Sequence, residues 1–508
     1  MIRNVLEYLE LSAEKFPDKT AFDDDKKTVT FSEIMQQAKS IGSELVRIGC
    51  EKRPVVVYLP KGCDCITSFM GIVYSGGFYC PIDVTMPAER ISLIFDILKP
   101  SAIITNSKYA SKTDSFKGNC KVIIFEEAAN TSIDINILHD IRKNAIDTDP
   151  LYVLFTSGST GVPKGVVVSH KSMIDFTEWV TSEFSINSSD VIGNQGNFYF
   201  DLSVLDIYSG LKTGAEISII PKKKFMFPVD LVRYMNLKKI SIINWVPSAI
   251  CNVANLKALE VEKPVFLKKV LFCGEVMPTK QLNIWKKYLP DVLYVNLYGP
   301  TEIVYACTYY IVDRKFNDDE SLPIGKACEN TKILVLNEND ELVQGDEAGE
   351  LCVAGTCLAL GYYNNPEKTN EVFVQNPLNK VYNELIYRTG DIVRYNEFGE
   401  IMYLSRKDFQ IKHMGHRIEL GEIEAALIDN ASVENCACVY SEKINEICAF
   451  YTGIETDKCE LINHLKSKIS AYMIPGIFTH IDKFPYNSNG KIDRLALKKI
   501  TETMDGMR

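Results

Sequence analysis

Leu154-Phe-Thr-Ser-Gly-Ser-Thr-Gly-Val-Pro-Lys-Gly165 is the stretch on which the fold reading turns. A short apolar run passes directly into a loop of hydroxyl and glycine residues with one lysine. Such a loop can aim backbone N–H groups, hydroxyls and an ammonium at phosphate oxygens. The Walker spacing G-x-x-x-x-G-K-[ST] is absent, because Lys164 follows Pro163 and precedes Gly165, so a mononucleotide-kinase or GTPase reading loses ground. A flexible surface turn is the plain alternative for this loop taken alone.

Working outward, helical and strand patterns alternate as in a doubly wound α/β domain. In Thr30 to Gly49, Thr30 and Glu33 fit a capping box, and Ile34, Ala38, Ile41, Leu45 and Ile48 recur at helical spacing, which predicts a helix over 32–48. Buried strands are expected at Val55–Leu59, Ala102–Thr105 and Val122–Phe125, then at Ile217–Ile220, Ile240–Ile243, Val270–Phe272 and Val292–Leu297. Pro278 suits the first turn of a helix on which Leu282, Trp285 and Leu289 make one face. From Lys332 the pattern turns to hairpins, KILVLNENDELV and DIVRYNEFGEIMYL, and predicts a small β subdomain. The last hundred residues or so return to mixed helix and strand, which places a boundary near Asp408.

Three further motifs sit beyond apolar strands, where open α/β sheets hold ligands. Asn296-Leu-Tyr-Gly-Pro-Thr-Glu302 offers an aromatic, a hydroxyl and a carboxylate that could stack a base, touch phosphate and hold Mg²⁺. Tyr387-Arg-Thr-Gly-Asp391, with Arg406 in Ser405-Arg-Lys-Asp-Phe-Gln-Ile-Lys412, offers a carboxylate and a guanidinium for ribose or phosphate. Lys491 closes Asn487-Ser-Asn-Gly-Lys491. Each alone reads as a structural turn or a solubilising charge.

In this order the motifs resemble the acyl-adenylate-forming superfamily, which includes acyl-CoA synthetases, luciferases and the adenylation domains of nonribosomal peptide synthesis. The resemblance spans nearly the whole chain. It implies a large N-terminal domain, residues 1–407, of doubly wound sheets plus a small β subdomain, and a small mobile α+β domain, 408–508, hinged at Asp408. By resemblance Thr156, Ser157, Ser159, Thr160 and Lys164 contact the ATP phosphates, Tyr298 stacks on adenine with Asn296 at its edge, and Gly299 belongs to the same nucleotide site. Thr301 and Glu302 serve phosphate and Mg²⁺, Asp391 and Arg406 hold the ribose, and Lys491 is the catalytic lysine, with Glu302 and Lys164 beside it in the catalytic set. Residues Lys412 to Arg417 help form a second, thiol-accepting conformation. Ser405 departs from the family's usual glycine, with little expected effect.

The acid is read from Asn197-Phe-Tyr-Phe-Asp-Leu-Ser-Val-Leu-Asp-Ile-Tyr208, which looks like the family segment whose first aspartate binds an α-ammonium. A carboxylate in that apolar setting favours a cationic partner, so Asp201 points to an amino acid, with an N-capping role as the alternative. Asp206 is read as structural. Matching the pocket by resemblance gives Asp201, Leu202, Leu205, Asn244, Leu271, Cys273, Gly274, Leu297, Tyr305, Ala306 and Lys491, mostly apolar and unsuited to charged side chains. Phe272-Cys-Gly-Glu275 and Phe200-Asp-Leu-Ser203 resemble D-alanyl carrier protein ligases. Gly274 to Lys280 and Thr308-Tyr-Tyr310 look closer to prolyl ligases, and several pocket positions are shared with cysteine-activating domains. Tyr305 is bulky for a D-alanine site, and Cys273 is expected as a pocket wall.

Composition sets the outer limits. The 508 residues are 46% hydrophobic and 24% charged, as in ordinary globular proteins. Fifty-six Lys and Arg against 66 Asp and Glu give a net charge of -10, which argues against broad capture of nucleic acid or anionic membrane. Fifteen cysteines without C-x-x-C spacing suggest neither a disulfide scaffold nor a zinc site, and no apolar run approaches a membrane span. A cytoplasmic location is expected. Seventeen residues after Lys491 leave no room for a carrier domain, and H-H-x-x-x-D-G is absent, so the expectation is a ligase that uses ATP and Mg²⁺ to load an amino acid onto the phosphopantetheine of a separate carrier protein. The alternatives are a carboxylate–CoA ligase and a nucleotide-binding regulatory protein with this fold.

Overall fold

Thr30 and Glu33 make both arms of the capping box, Glu33 N–H donating to Thr30 Oγ1 at 3.2 Å and Thr30 N–H to Glu33 Oε2 at 2.8 Å. They start the helix Phe31–Arg47, which buries Phe31, Ile34, Ala38, Ile41 and Leu45. In this computed structural model of the protein, residues 2–158, 161–408, 410–486 and 492–503 are described. The chain divides into two compact units: Met1–Val84 with Leu98–Leu154 and Gly165–Lys407, and Thr85–Ile97 with Phe155–Lys164 and Asp408–Arg508.

The first unit holds a nine-stranded sheet in the order Lys326–Ala327, Thr308–Ile311, Leu293–Tyr298, Lys269–Phe272, Ile242–Trp245, Val191–Asn194, Glu216–Ile219, Thr20–Asp23, Thr28–Thr30. Its six middle strands from Leu293–Tyr298 to Thr20–Asp23 run parallel, joined through helices such as Leu202–Thr213 and Thr279–Tyr288. A seven-stranded sheet contains the parallel strands Phe78–Pro81, Pro54–Val57, Ala102–Thr105 and Lys121–Ile124, with Pro150–Thr156 beside Phe78–Pro81. Trp245 and Trp285 are fully buried, and each indole N–H finds a carbonyl, Gly193 at 2.8 Å and Ile250 at 3.0 Å. That pairing removes the penalty of burying the N–H, so the apolar surface of each ring contributes its full hydrophobic stabilisation.

Expected elements form with boundary shifts of one or two residues. Pro278 is the cap before Thr279–Tyr288 rather than a residue of its first turn. The hairpin expected in KILVLNENDELV is a correction: Thr331–Leu336 pairs with Gly349–Gly355, and its own continuation contributes only a bridge at Leu342. Leu342 is exposed, whereas Gly349–Gly355 is buried along six of seven residues and is the better apolar partner. Those strands, with Leu385–Tyr395, Phe373–Gln375 and Ile401–Arg406, make the five-stranded antiparallel β subdomain.

In the second unit, Gln410–His413 and His416–Glu419 form a hairpin whose two turn residues, Met414 and Gly415, both have positive φ, 51° and 76°. That is the turn whose twist matches paired strands. Val433–Ser441, Glu446–Gly453 and Ile477–His480 form a mixed sheet packed by Leu420–Ile428 and Lys458–Lys468, an α+β arrangement. Among the described residues no helix is long and apolar enough to cross a membrane, and no group of three His, Cys, Asp or Glu could hold a metal ion.

Candidate active site

Asp391 and Arg406 occupy facing positions on the antiparallel strands Leu385–Tyr395 and Ile401–Arg406. Arg406 donates to Asp391 Oδ1 at 2.7 Å, and the Tyr298 hydroxyl donates to the other carboxylate oxygen. Asp391 is almost wholly buried, and its backbone N–H is held by Thr389 Oγ1 at 3.0 Å. Burial first, and the Asp391 charge second, push the Tyr298 phenol well above the usual tyrosine range, so it stays a donor. A carboxylate has about four acceptor positions, so this one can hold both protein donors and still accept from a diol. Three residues predicted for the nucleoside thus meet, though Tyr298 is tied by its hydroxyl as well as offering a ring. Asn296, in the same strand as Tyr298, instead donates to the Pro323 carbonyl at 2.8 Å.

Beyond Tyr298 the chain makes Gly299-Pro300 and the short helix Thr301–Ile303. Glu302 is fully buried; Tyr362 donates to its Oε1 at 2.7 Å, and its carbonyl accepts the Ala359 N–H at 2.8 Å. Thr301 donates to Asp201 Oδ2 at 2.5 Å. Asp201 is the residue before Leu202–Thr213, yet its side chain makes no capping bond, so the N-capping alternative is set aside.

Val304 follows at φ 74° and ψ -65°, and Tyr305 N–H donates to the Ile303 carbonyl at 3.0 Å. This is a γ-turn of the strained kind, on a β-branched residue that disfavours positive φ. It folds the chain back onto Gly299, where an added Cβ would lie 2.5 Å from the Tyr305 carbonyl oxygen and 2.7 Å from Ala306 Cα. Val304 itself carries no sequence signal of this turn. Gly299 in the motif is its visible counterpart.

The residues matched to the acid pocket come from neighbouring strands of one sheet and from segments beside them. Asn244 pairs in register with Leu271, Cys273 and Gly274 follow the Lys269–Phe272 strand, and Leu297 lies on the next strand. Leu202 and Leu205 lie in the first turns of Leu202–Thr213, and Tyr305 and Ala306 follow the γ-turn. Leu202, Leu205, Asn244, Leu271, Cys273, Leu297, Tyr305 and Ala306 are all buried. Tyr305 donates to Asn244 Oδ1 at 2.8 Å, and Asn244 Nδ2 donates to the Leu202 carbonyl at 3.0 Å. Gly274 has φ 96°, a conformation glycine takes at no steric expense.

Within the second unit, Ser157 Oγ donates to the Arg417 carbonyl at 2.9 Å and accepts the Glu419 N–H at 3.1 Å. Lys164 lies 3.6 Å from the Glu419 carboxylate, and Thr156 Oγ1 reaches the Lys164 carbonyl at 3.5 Å. Gly158 approaches Val162 closely: a Cβ on Gly158 would stand 1.9 Å from the Val162 carbonyl oxygen. Asp408 Oδ1 accepts the Gln410 N–H at 3.2 Å. Ser159, Thr160 and Lys491 lie outside the described residues.

The sequence description of AMP-binding enzymes matches residues 9–363, and that of their C-terminal domain matches 422–491. The chain belongs to the AMP-binding enzyme family. This AMP-binding enzyme is 32% identical over 511 residues to gramicidin S synthase 1 of Brevibacillus brevis, covering 100% of this chain and 45% of that one. It is 30% identical to tyrocidine synthase 1 of Brevibacillus parabrevis, again spanning 45% of its length. Against the D-alanine–D-alanyl carrier protein ligase of Bacillus licheniformis it is 31% identical over 508 residues, covering 97% of this chain and 99% of that ligase. The fold is shared with the Vibrio cholerae adenylation domain AlmE, solved with glycyl-adenosine-5'-phosphate, at a TM-score of 0.84, 22% identity and 99% and 98% coverage of the two chains. As an AMP-binding enzyme the chain has the expected α/β architecture, a large body of mixed sheets with a smaller C-terminal part.

Sequence reasoning missed four contributors. Tyr362 holds Glu302, Gly158 permits the close approach of the Val162 carbonyl, Val304 aims Tyr305, and Asn194 joins Asp206 at 2.7 Å. Only the last had a sequence signal: a carboxylate at 206 within an apolar helical stretch needs polar partners.

Proposed function

We propose that this AMP-binding enzyme activates a small or medium uncharged amino acid as an aminoacyl-AMP and transfers it to the phosphopantetheine thiol of a separate carrier protein. The observation that carries the reading is the 2.5 Å bond from Thr301 to Asp201. It joins the residue assigned to the α-ammonium with the segment, Thr301 and Glu302, assigned to phosphate and Mg²⁺. An amino acid has its carboxylate two bonds from its ammonium, so anchoring at Asp201 confines the reacting oxygen to the neighbourhood of Glu302.

In the first step a carboxylate oxygen attacks the α-phosphorus, the bond from phosphorus to the bridging oxygen breaks, and pyrophosphate leaves with the electron pair. In the second, the thiolate sulfur attacks the acyl carbon, the bond to the phosphate oxygen breaks, and AMP leaves. Both partners of the first step are anionic, and Lys164 and Lys491 are assigned to offset their repulsion. Asp391, Arg406 and Tyr298 are assigned to the nucleoside. Thr301 and Glu302 supply oxygen donors of the kind Mg²⁺ prefers, and the ion when bound neutralises phosphate charge. Asp408 is assigned as the hinge between a catalytic body, 1–407, and a mobile cap, 408–508.

The matched pocket offers no charge besides Asp201 and Lys491, which disfavours a charged side chain. The near-complete mutual coverage with the D-alanine–D-alanyl carrier protein ligase makes D-alanine the first probe. ATP–pyrophosphate exchange over D- and L-amino acids tests the reading. A small uncharged amino acid should stimulate exchange, and Lys491→Ala should lower it by roughly a hundred-fold or more. Exchange supported only by fatty or aryl acids refutes the assignment of Asp201. Loading of a purified phosphopantetheinylated carrier, compared with free coenzyme A, decides the thiol.

A further inference from the structure

Asp206 is the fifth residue of Leu202–Thr213 and is fully buried. Its Oδ2 accepts from Asn194 Nδ2 at 2.7 Å and its Oδ1 from Asn244 Nδ2 at 3.3 Å. Asn194 and Asn244 are register partners on neighbouring parallel strands, so one carboxylate bridges two strands to one helix. The second proton of Asn244 Nδ2 goes to the Leu202 carbonyl, one residue from Asp201, and its Oδ1 receives the Tyr305 hydroxyl. Both amide protons and the amide oxygen of Asn244 are therefore committed, and Asp206 together with the Leu202 carbonyl sets which end of the amide faces Tyr305.

We propose that Asp206 is a positioning residue for the acid substrate, acting through Asn244 to fix the Tyr305 hydroxyl and the helix start that carries Asp201. The assignment rests on reading Asp201 and Tyr305 as parts of the acid pocket. Its reach is physical: reversing the Asn244 amide would turn a donor toward Tyr305 and release the Leu202 carbonyl. The phenol would then have to rotate its own proton elsewhere, and the helix start would lose its tie to the sheet.

Asn194 supplies the means to separate charge from geometry. Its Oδ1 is buried and has no hydrogen-bond partner among the described residues. An amide in place of the Asp206 carboxylate can accept from Asn244 as before and donate to Asn194 once that side chain flips. Asp206→Asn therefore retains the tie to Asn244, whereas Asp206→Leu removes it with the same branching and the same count of side-chain heavy atoms. A neutral, protonated Asp206 would make the same pair of bonds, and burial does push this carboxyl up to about 7.

The experiment is ATP–pyrophosphate exchange with the full chain, using whichever acid from a panel of glycine, D- and L-amino acids, acetate and benzoate gives the most exchange with wild type. Asp206→Leu should raise the KM for that acid about ten-fold or more, leaving the KM for ATP and the kcat per active site within about three-fold. Asp206→Asn should restore most of the lost affinity. In a Tyr305→Phe background, where the hydroxyl is already gone, Asp206→Leu should have a clearly smaller effect. Should the leucine variant not fold, Asp206→Ser carries the same comparison. Equal loss for ATP and acid, failure of the asparagine variant to recover affinity, or full additivity with Tyr305→Phe overturns the proposal. If acetate or benzoate is the best acid, the amino-acid reading fails while the comparison of variants still scores Asp206; absence of exchange with every acid overturns both.

Discussion

Arg406 and Asp391 face each other across two antiparallel strands, and the guanidinium donates to the carboxylate at 2.7 Å with both side chains nearly excluded from water. Breaking a buried pair by removing one partner leaves the other charge desolvated and unpaired, which costs about 3–5 kcal/mol. Asp391→Ala removes the buried carboxylate to which both Arg406 and the Tyr298 hydroxyl donate. We expect it to lower the melting temperature by several degrees and raise the KM for ATP at least ten-fold, with a smaller change for the acid. Thermal unfolding and exchange kinetics on one preparation check both. An unchanged KM for ATP would remove Asp391 from the nucleoside site.

Gly299 is the second point of leverage. A Cβ there would press on the Tyr305 carbonyl oxygen and Ala306 Cα, both backbone atoms that a rotamer change does not move. Gly299→Ala should therefore displace the γ-turn at Val304, and with it Tyr305 and Glu302. The expected result is a loss in kcat/KM of about a hundred-fold shared between ATP and acid, together with a lower unfolding midpoint. A stable, fully active alanine variant would show that the turn yields without harm.

Much of this was legible in the sequence, and the limits have a physical cause. The helix Phe31–Arg47 is announced by a local capping box and an unbroken apolar period, both set within a few residues. The parallel strands are apolar runs bounded by turns, so their existence was readable while their ends moved by a residue or two. The hairpin misassigned at Leu342 failed because two apolar runs nearby in sequence were not the two with matching buried faces. Asp391, Arg406 and Tyr298 are each singled out by their motifs, but the direct bond from Tyr298 to Asp391 depends on tertiary placement across 93 positions, which no local pattern encodes. Val304 is the extreme case, since a β-branched residue at positive φ runs against local preference and is held there only by its surroundings.

Thr301 donates its hydroxyl proton to Asp201, and that single bond can be removed without changing shape. Thr301→Val is nearly isosteric and should leave the Asp201 carboxylate one donor short in a partly buried place. The KM for the amino acid should rise about ten-fold, while Thr301→Ser should stay within about three-fold of wild type. Exchange kinetics across the three proteins measure it. If valine and serine behave alike, the hydroxyl does not orient Asp201.

Asp206 and Lys61 give the protein a defined pH response near neutrality. Burial raises the Asp206 carboxyl from 3.8 to about 7, opposed by its bonds from Asn194 and Asn244 and by the charge of Lys61. Burial lowers the Lys61 ammonium from 10.5 to about 7, opposed by Asp206; its partners are the Gln195 and Asn194 carbonyls, at 2.9 and 3.5 Å, and the Phe198 ring. Tyr305 and Asn244 face the same carboxylate but stay neutral, because burial pushes the phenol well above its usual range. Between about pH 4 and 7 the folded chain keeps a proton on Asp206 that the unfolded chain has lost, so this group's contribution to stability falls as pH rises through that window. Lys61 acts in the opposite sense above neutrality: the folded chain releases its proton near 7 and the unfolded chain only near 10.5, so its contribution rises with pH between them. Asp206→Asn keeps the tie to Asn244 and removes the first titration. Denaturant unfolding from pH 4 to 8 should show wild type losing stability relative to Asp206→Asn up to about pH 7 and holding a constant difference above it. A difference that does not vary with pH would mean that Asp206 is already ionised in the folded protein at pH 4, and that the charge of Lys61 outweighs burial.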